Sequence, residues 1–470
     1  MAVEGNLKKW RTMTREKTDR QTDQNELEAE LETHFKIIKS CSLETEDRET
    51  VLLAAKPESR YPYFYPRDVA CASELLAYLS TSQYTFADDA YKLLGSIAKF
   101  VLKALRNDGY LGQRYALSGE EKSIYKQEDN NAHGMTILSY YLLTAKQRSE
   151  KIEDLDTFLK AIHCTAQYAI KNYYHSEINL FSSTTSIHES ALEEGFSCWT
   201  NFAYLRAFCL LSKVNGELDV ADIIPDKILL FESAFKHNLL HIMVSNRRFL
   251  RRIDQKGNYD FKPDFTLLSP FYFGFGKETR DYLDNSVDFI ERQLWDPELG
   301  MIQRYLPFSG DKEIHTHAGN GPWLQYTAIL AQYHFWCRNR SRGEELITLI
   351  DRYKNEKGEI PEHLSTCDRF NAFMQSEWKT GIDFSKEFDP HILQDDLDFD
   401  KILEEANNMH MAYNEVAKKC MIRDSAMEEG GYIMFVVPLM WSHVEYMKAL
   451  LYKHGLYLNE NPEKVSKYFL

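Results

Sequence analysis

The stretch Ser186-Ile-His-Glu-Ser-Ala-Leu-Glu-Glu-Gly-Phe-Ser-Cys-Trp-Thr-Asn201 runs from a polar, acidic loop directly into an aromatic run with helical spacing, Phe196 to Lys213. The same order, polar loop and then apolar helix, recurs along the chain. Apolar residues three and four apart predict helices at Asn25 to Ile38, Val69 to Leu79, Ala87 to Leu105, Ala132 to Ala145 and Leu155 to Tyr173. They continue at Ile224 to Met243, Thr279 to Leu294, Trp323 to Arg338, Glu344 to Lys354 and Phe435 to Tyr452. Strand signals are few: Val51 to Ala55 reads as a short strand or buried turn, and Arg247 to Phe265 as a hairpin-like excursion.

About eleven long helices, roughly 30 to 45 residues apart, make an all-α protein. Several are apolar on more than one face, and the loops between them are rich in Gly, Pro, Tyr and Trp, which does not suit an elongated bundle. Successive helix pairs share no repeated signature, so a solenoid is not indicated. Six concentric pairs, an (α/α)6 barrel or toroid, accommodate about twelve helices and leave the loops at one end to build a pocket. One helix is then unassigned, near Ser269 to Phe275 or in the first fifty residues. Residues 1–24 are polar without periodicity and read as a tail, with 25–470 a single domain. Within it, 367–430 departs in composition, acidic at Gln394-Asp-Asp-Leu-Asp-Phe-Asp400 and then amphipathic. It is expected to be an inserted helical segment near the C-terminus, either a lid or an ordinary barrel pair.

The 470 residues carry 71 acidic and 56 basic side chains, a formal charge of −15, which argues against nucleic acid or an anionic membrane as partner. No apolar run approaches the roughly 20 residues of a transmembrane helix, and the N-terminal residues lack a signal-peptide core. A soluble cytoplasmic protein is expected. Eight cysteines, at 41, 71, 164, 198, 209, 337, 367 and 420, are scattered singly and read as reduced core thiols. No HExxH, tight Cys/His/Asp group, GxGxxG, GxxxxGK[ST] or GxSxG is present, so neither a metal nor a nucleotide cofactor is indicated.

Several loops hold residues suited to sugar chemistry. Glu189, Glu193 and Glu194 precede one helix, and Glu362 sits in the turn Gly358-Glu-Ile-Pro-Glu-His363. Acids ahead of a helix also cap it, but two carboxyls on separate rigid elements are what acid/base cleavage of a glycosidic bond requires. In Arg60-Tyr-Pro-Tyr-Phe-Tyr-Pro-Arg-Asp68, Arg67 and Asp68 suit a hydrogen-bond fork on sugar hydroxyls, while Tyr61, Tyr63 or Tyr65 stacks on the ring. Arg304 and Tyr305, Trp323 after a Gly-Pro turn, and Asp129 in Gln127-Glu-Asp-Asn-Asn-Ala-His-Gly134 all lie at the same end of predicted helices. In a barrel of antiparallel pairs they would surround one mouth.

These residues resemble the glucoamylase family of inverting glycosidases, family 15 of the glycoside hydrolases. Arg60 to Ala70 is similar to its aromatic-rich Arg-Asp motif, and Arg304-Tyr305 followed by Asn320-Gly-Pro-Trp323 to its Arg-Tyr and Asn-Pro-Trp segments. Pro438-Leu-Met-Trp-Ser-His-Val-Glu-Tyr446, containing Trp441, is the most specific match. The resemblance spans about residues 50–450 and implies an (α/α)6 barrel, no cofactor and glucose release with inversion from the non-reducing end of short α-1,4 or α-1,6 glucosides. The family's general acid lies in Trp-Glu-Glu, and here the tryptophan is missing. Either Ile187-His-Glu189 takes its place or Leu192-Glu193-Glu194 matches the paired glutamates; Glu189 is preferred for its position after the preceding loop. Pro361-Glu362-His363 matches the base segment, with Glu428 and Glu429 as lesser alternatives. The missing tryptophan keeps open a non-catalytic sugar-sensing or regulatory domain, and a trehalase of the same family is a further alternative.

Overall fold

The computed structural model describes residues 24–45, 49–59, 61–123, 126–184, 187, 194–218, 220, 226–305, 321–373 and 432–456. Its helices are α1 (24–40), α2 (Pro66–Ser80), α3 (Ala87–Ala104), α4 (Asn130–Gln147), α5 (Leu155–Tyr173), α6 (Cys198–Leu218) and α7 (Asp226–Ile242). Then come the single turn α8 (Ser269–Tyr272), α9 (Arg280–Leu294), α10 (Leu324–Trp336), α11 (Arg340–Arg352), α12 (Cys367–Phe373) and α13 (Met440–Lys453).

Burial sorts these helices into two concentric rings. In α4 every residue from Asn130 to Ala145 is buried, and the same holds from Leu324 to Phe335 in α10 and from Met440 to Tyr452 in α13. A helix covered all round belongs inside. By contrast α9 buries only Leu283, Ser286, Val287, Ile290 and Leu294, a stripe at three- and four-residue spacing with solvent on its other face. The inner ring is α2, α4, α6, α8, α10 and α13, and it closes where α13 packs on both α2 and α10. The outer ring is α1, α3, α5, α7, α9 and α11. This is the (α/α)6 barrel, and α8 supplies the element expected near Ser269.

Strands do no more than trim the loops. Ser42–Glu44 pairs with Thr50–Leu52, and Gly195–Ser197 pairs with Arg252–Asp254 in the excursion between α7 and α8. The strand His363–Thr366, just after Glu362, pairs antiparallel with Tyr432–Phe435. The expected helix from Phe435 therefore begins only at Met440. Pro438 has no N–H to donate and pushes Val437 out of the helical region, which delays the start. The tail and the 367–430 insertion lie outside the described residues, apart from Gln24 and α12. Among the described residues no helix is long and apolar enough to cross a membrane, and no group of three or more His, Cys, Asp or Glu is placed to hold a metal ion.

Candidate active site

The N-terminal ends of α2, α10 and α13 converge on a pocket of about 560 Å³ that opens to solvent. Its wall comprises Ala54, Tyr61, Tyr65, Arg67 and Asp68 from α2 and the loop before it, Ile187 from the loop before α6, and Arg304 from the loop before α10. Trp323, Gln325 and Tyr326 of the α10 entry, Glu362, and Trp441 of α13 complete it. The positive ends of three helix dipoles therefore face the pocket, a setting that favours oxygen-rich ligands.

Glu362 is held by its backbone before its side chain is considered. Its N–H donates to the carbonyls of Phe435 and Val436 at 3.0 and 3.1 Å, and its own carbonyl accepts from the Leu324 N–H at 3.1 Å. The carboxylate, 11% exposed, takes a long hydrogen bond from the Tyr61 hydroxyl at 3.5 Å and lies 3.4 Å from His363 Nδ1. The His363 ring is sandwiched nearly parallel between Trp323 and Phe435, with centroids 4.8 and 4.4 Å away. Arg304 lays its guanidinium over Trp323 at 4.7 Å. That arginine is buried to 7% exposure, and its Nε has no hydrogen-bond partner among the described residues.

Arg67 is also buried, and it is committed downward as well as toward the pocket. Its Nε and Nη2 donate to the two oxygens of Asp129 at 3.1 and 3.0 Å, and its Nη1 reaches the Ile187 carbonyl at 3.4 Å. Asp129 also accepts from Trp199 Nε1 at 3.0 Å and pairs with His133 Nε2 at 3.3 Å. Burial alone would raise the Asp129 pKa, but the Arg67 charge and the His133 and Arg67 hydrogen bonds carry it well below the usual carboxylate range. Burial lowers the His133 pKa, a shift that Asp129 only partly opposes.

Four residues expected to touch sugar stand elsewhere. Asp129 sits beneath the wall and serves Arg67, because a carboxylate 1% exposed with this many donors has none to spare for a ligand. Tyr63 is not part of the lining; it stands edge-on beside Tyr65, partly exposed, its ring covered by the Arg114 guanidinium at 4.7 Å. Tyr305 is buried, bridging to Asp264 through its backbone. Glu194 is exposed ahead of its strand, and its carbonyl accepts from Arg252 at 3.3 Å. Glu189, Glu193, Glu428 and Glu429 lie outside the described residues. Ile187, two positions before Glu189, lines the pocket.

Other residues at the site carried no sequence signal of their own. Tyr326 and Gln325 enter the wall because the helix that follows Trp323 turns them inward, and Ala54 because Thr50–Leu52 ends there. Arg114 donates from Nη1 to the Tyr65 hydroxyl at 3.2 Å and from Nε to the Lys122 carbonyl at 2.7 Å, so it fixes the Tyr65 ring. Glu128 accepts from the Thr184 N–H at 3.0 Å and from its hydroxyl, which pins the chain leading toward Ile187. Burial raises the Glu128 pKa despite those two hydrogen bonds. The neighbouring acid Asp129 foreshadowed this site, but nothing marked which of the pair points where.

Comparison with solved structures returns glycosidases. A glycosidase in complex with glucose aligns at a TM-score of 0.58 and 14% identity over 92% of this chain and 98% of that one. The glucoamylase from Saccharomycopsis fibuligera aligns at 0.56 and 14% over 92% and 96%. A bacterial glucoamylase complexed with acarbose aligns at 0.57 and 12% over 89% of this chain and 55% of its own. At these identities the likeness is one of fold. No protein-family model matches the sequence, and no curated protein matches it.

Proposed function

We propose that this chain is an inverting exo-α-glucosidase of the glucoamylase type, family 15 of the glycoside hydrolases, acting on short α-1,4 or α-1,6 glucosides. One observation carries the reading: Glu362, rigidly mounted and nearly buried, faces the same pocket as Arg67, Asp68, the partnerless Arg304 Nε and five aromatic rings. A carboxylate is a general base, the polar donors suit sugar hydroxyls, and the rings suit the apolar faces of a pyranose. The solved structures of the same fold include a glycosidase with glucose and a glucoamylase with acarbose.

In the reaction, Glu362 takes a proton from water as that water attacks the anomeric carbon. A second carboxyl, protonated and on the other ring face, gives its proton to the departing glycosidic oxygen. Inversion needs the two carboxyls roughly 6.5 to 9.5 Å apart, with water between Glu362 and the sugar. Glu189 is the proposed acid and Glu193 its rival; both follow Ile187, which reaches the pocket wall. Asp68 and Arg304 would bind the terminal glucose, with Tyr65, Trp323 and Trp441 packed around it. Arg67, through Asp129 and the Ile187 carbonyl, would hold the acid-bearing loop against the site. The domain is proposed to run from about 25 to 470 as one unit, with 367–430 inserted beside the pocket and narrowing it toward short substrates. A cytoplasmic setting fits the singly scattered free thiols.

The test is glucose release from maltose, isomaltose and trehalose, with polarimetry of the first anomer formed. β-Glucose from maltose or isomaltose, lost in Glu362→Gln with the circular dichroism spectrum unchanged, is the expected result. No release from any of the three would remove the hydrolase reading in favour of a non-catalytic sugar-sensing domain. Release from trehalose alone would make it a trehalase.

A further inference from the structure

Beneath the pocket, four charged side chains form a buried chain across three inner helices. Arg206 Nη2 of α6 lies 2.8 Å from Glu74 Oε1 of α2, and Glu74 Oε2 lies 3.1 Å from Lys448 Nζ of α13. Lys448 in turn approaches Glu445 Oε1 at 3.4 Å. Arg206, Lys448 and Glu445 are at most 4% exposed. A buried ionic chain is weak support for stability, because desolvation offsets most of its attraction, so its placement asks for another explanation.

The spacing supplies one. Seven residues before Arg206 stands Trp199, seven before Glu74 stands Arg67, and seven before Lys448 stands Trp441. Seven residues are two helical turns on the same face, about 10 Å along the axis. The ionic chain therefore ties together three helices directly below the residues that form or brace the pocket wall. It meets that wall through a hydrogen bond: Trp441 Nε1 donates to Glu445 Oε1 at 3.0 Å. Glu445 is itself locked, accepting from the Tyr272 hydroxyl at 3.0 Å and from Gln332 Nε2 at 2.9 Å on its other oxygen. An indole with a free N–H could turn about its side-chain bonds, but one bonded to a fixed carboxylate is held in a single plane.

We infer that Glu445 is a positioning residue that sets the plane of the Trp441 indole against bound sugar, with Lys448, Glu74 and Arg206 anchoring it to the rest of the inner ring. This rests on the glucosidase reading for the identity of the ligand, but not for the geometry. Glucose affinity by calorimetry, in wild type, Glu445→Gln, Trp441→Phe and the double variant, tests it. Gln keeps an oxygen but presents an amide to the surrounding donors, so Glu445→Gln should weaken glucose binding about tenfold. In the Trp441→Phe background the same change should add nothing, because the residue it acts through is gone. Additive losses would overturn the inference and leave Glu445 a structural residue.

A second readout does not depend on sugar. With 15N-labelled tryptophan, the indole N–H resonance missing from Trp441→Phe should shift in Glu445→Gln, and to a lesser extent in Lys448→Met, which loosens the carboxylate without removing it. If Glu445→Gln does not fold, Lys448→Met carries the measurement. An unmoved resonance refutes the positioning role. If wild type binds no glucose while the resonance shifts, the glucosidase reading fails and the positioning role stands.

Discussion

Asp129→Asn isolates the buried pair on which the pocket wall rests. The substitution keeps the shape of the side chain but removes the charge that answers Arg67, which is 3% exposed and has two of its nitrogens on Asp129. Breaking one side of a buried ion pair costs about 3–5 kcal/mol. At roughly 2.1 cal/mol/K of unfolding entropy per residue, a chain of 470 residues loses about one degree of melting temperature per kcal/mol. A drop of about 3–5 °C at pH 7 follows, measured by scanning calorimetry. The pH dependence has a definite sign. Asp129 has a depressed pKa when folded, so its contribution is complete above the unfolded aspartate value near 3.9 and fades as pH falls toward the folded one. The gap between wild type and variant should narrow below about pH 4. An unchanged midpoint at pH 7, or a gap that widens on acidification, would refute this account of Arg67 and Asp129.

Other expectations rest on single contacts. In Gly321→Ala, a Cβ would stand 1.7 Å from the Leu364 carbonyl oxygen, so the strand after Glu362 must shift; about 3 kcal/mol of destabilisation, seen in urea melts, should accompany loss of turnover. Gly216→Ala is the contrasting case, since nothing lies within 4 Å of the new methyl in α6, and it should stabilise by about 0.5–1 kcal/mol. Arg304→Lys keeps the charge but loses the flat guanidinium 4.7 Å over Trp323, and should raise KM for maltose about tenfold with little change in kcat. A kcat loss larger than the KM effect would place Arg304 in the chemistry instead.

Helices were the legible part of this chain, and the reason is physical. Leu155–Tyr173 has the limits that its apolar spacing indicated, and most others differ by only a few residues, because inner helices need apolar residues on nearly every face and outer ones a clean stripe. The strand pair after Glu362 was not legible: His363 pairs with Phe435 across more than seventy residues, and no local pattern announces such a partner. At the site, Arg67, Asp68, Arg304, Trp323, Glu362 and Trp441 could be picked out because charge or aromaticity stands beside Pro or a helix start, and all six line one pocket. Asp129, Tyr63 and Tyr305 carried the same signals and are not part of the lining, the first and last of them buried. A sequence shows that a polar group sits at a helix end, but not whether a neighbour such as Arg67 has already taken its hydrogen bonds. Arg114 acts through Tyr65 and had no signature of its own, and Glu445, though inside the Pro438–Tyr446 segment, carried nothing that marked its bond to Trp441.

The pocket is stitched from distant parts of the chain. Met440 donates its N–H to the Ala54 carbonyl, Leu439 to that of Ile360, and Leu364 to that of Pro322. The first of these seams cannot close until both ends of the polypeptide have arrived, and the second waits for the start of the last helix, whereas each helix can form from its own neighbourhood. Contacts so remote in sequence come late in folding. Recovery of ligand binding after dilution from denaturant should therefore lag behind the return of helical ellipticity, and a nascent chain still short of Met440 would carry most of its barrel but no completed cradle.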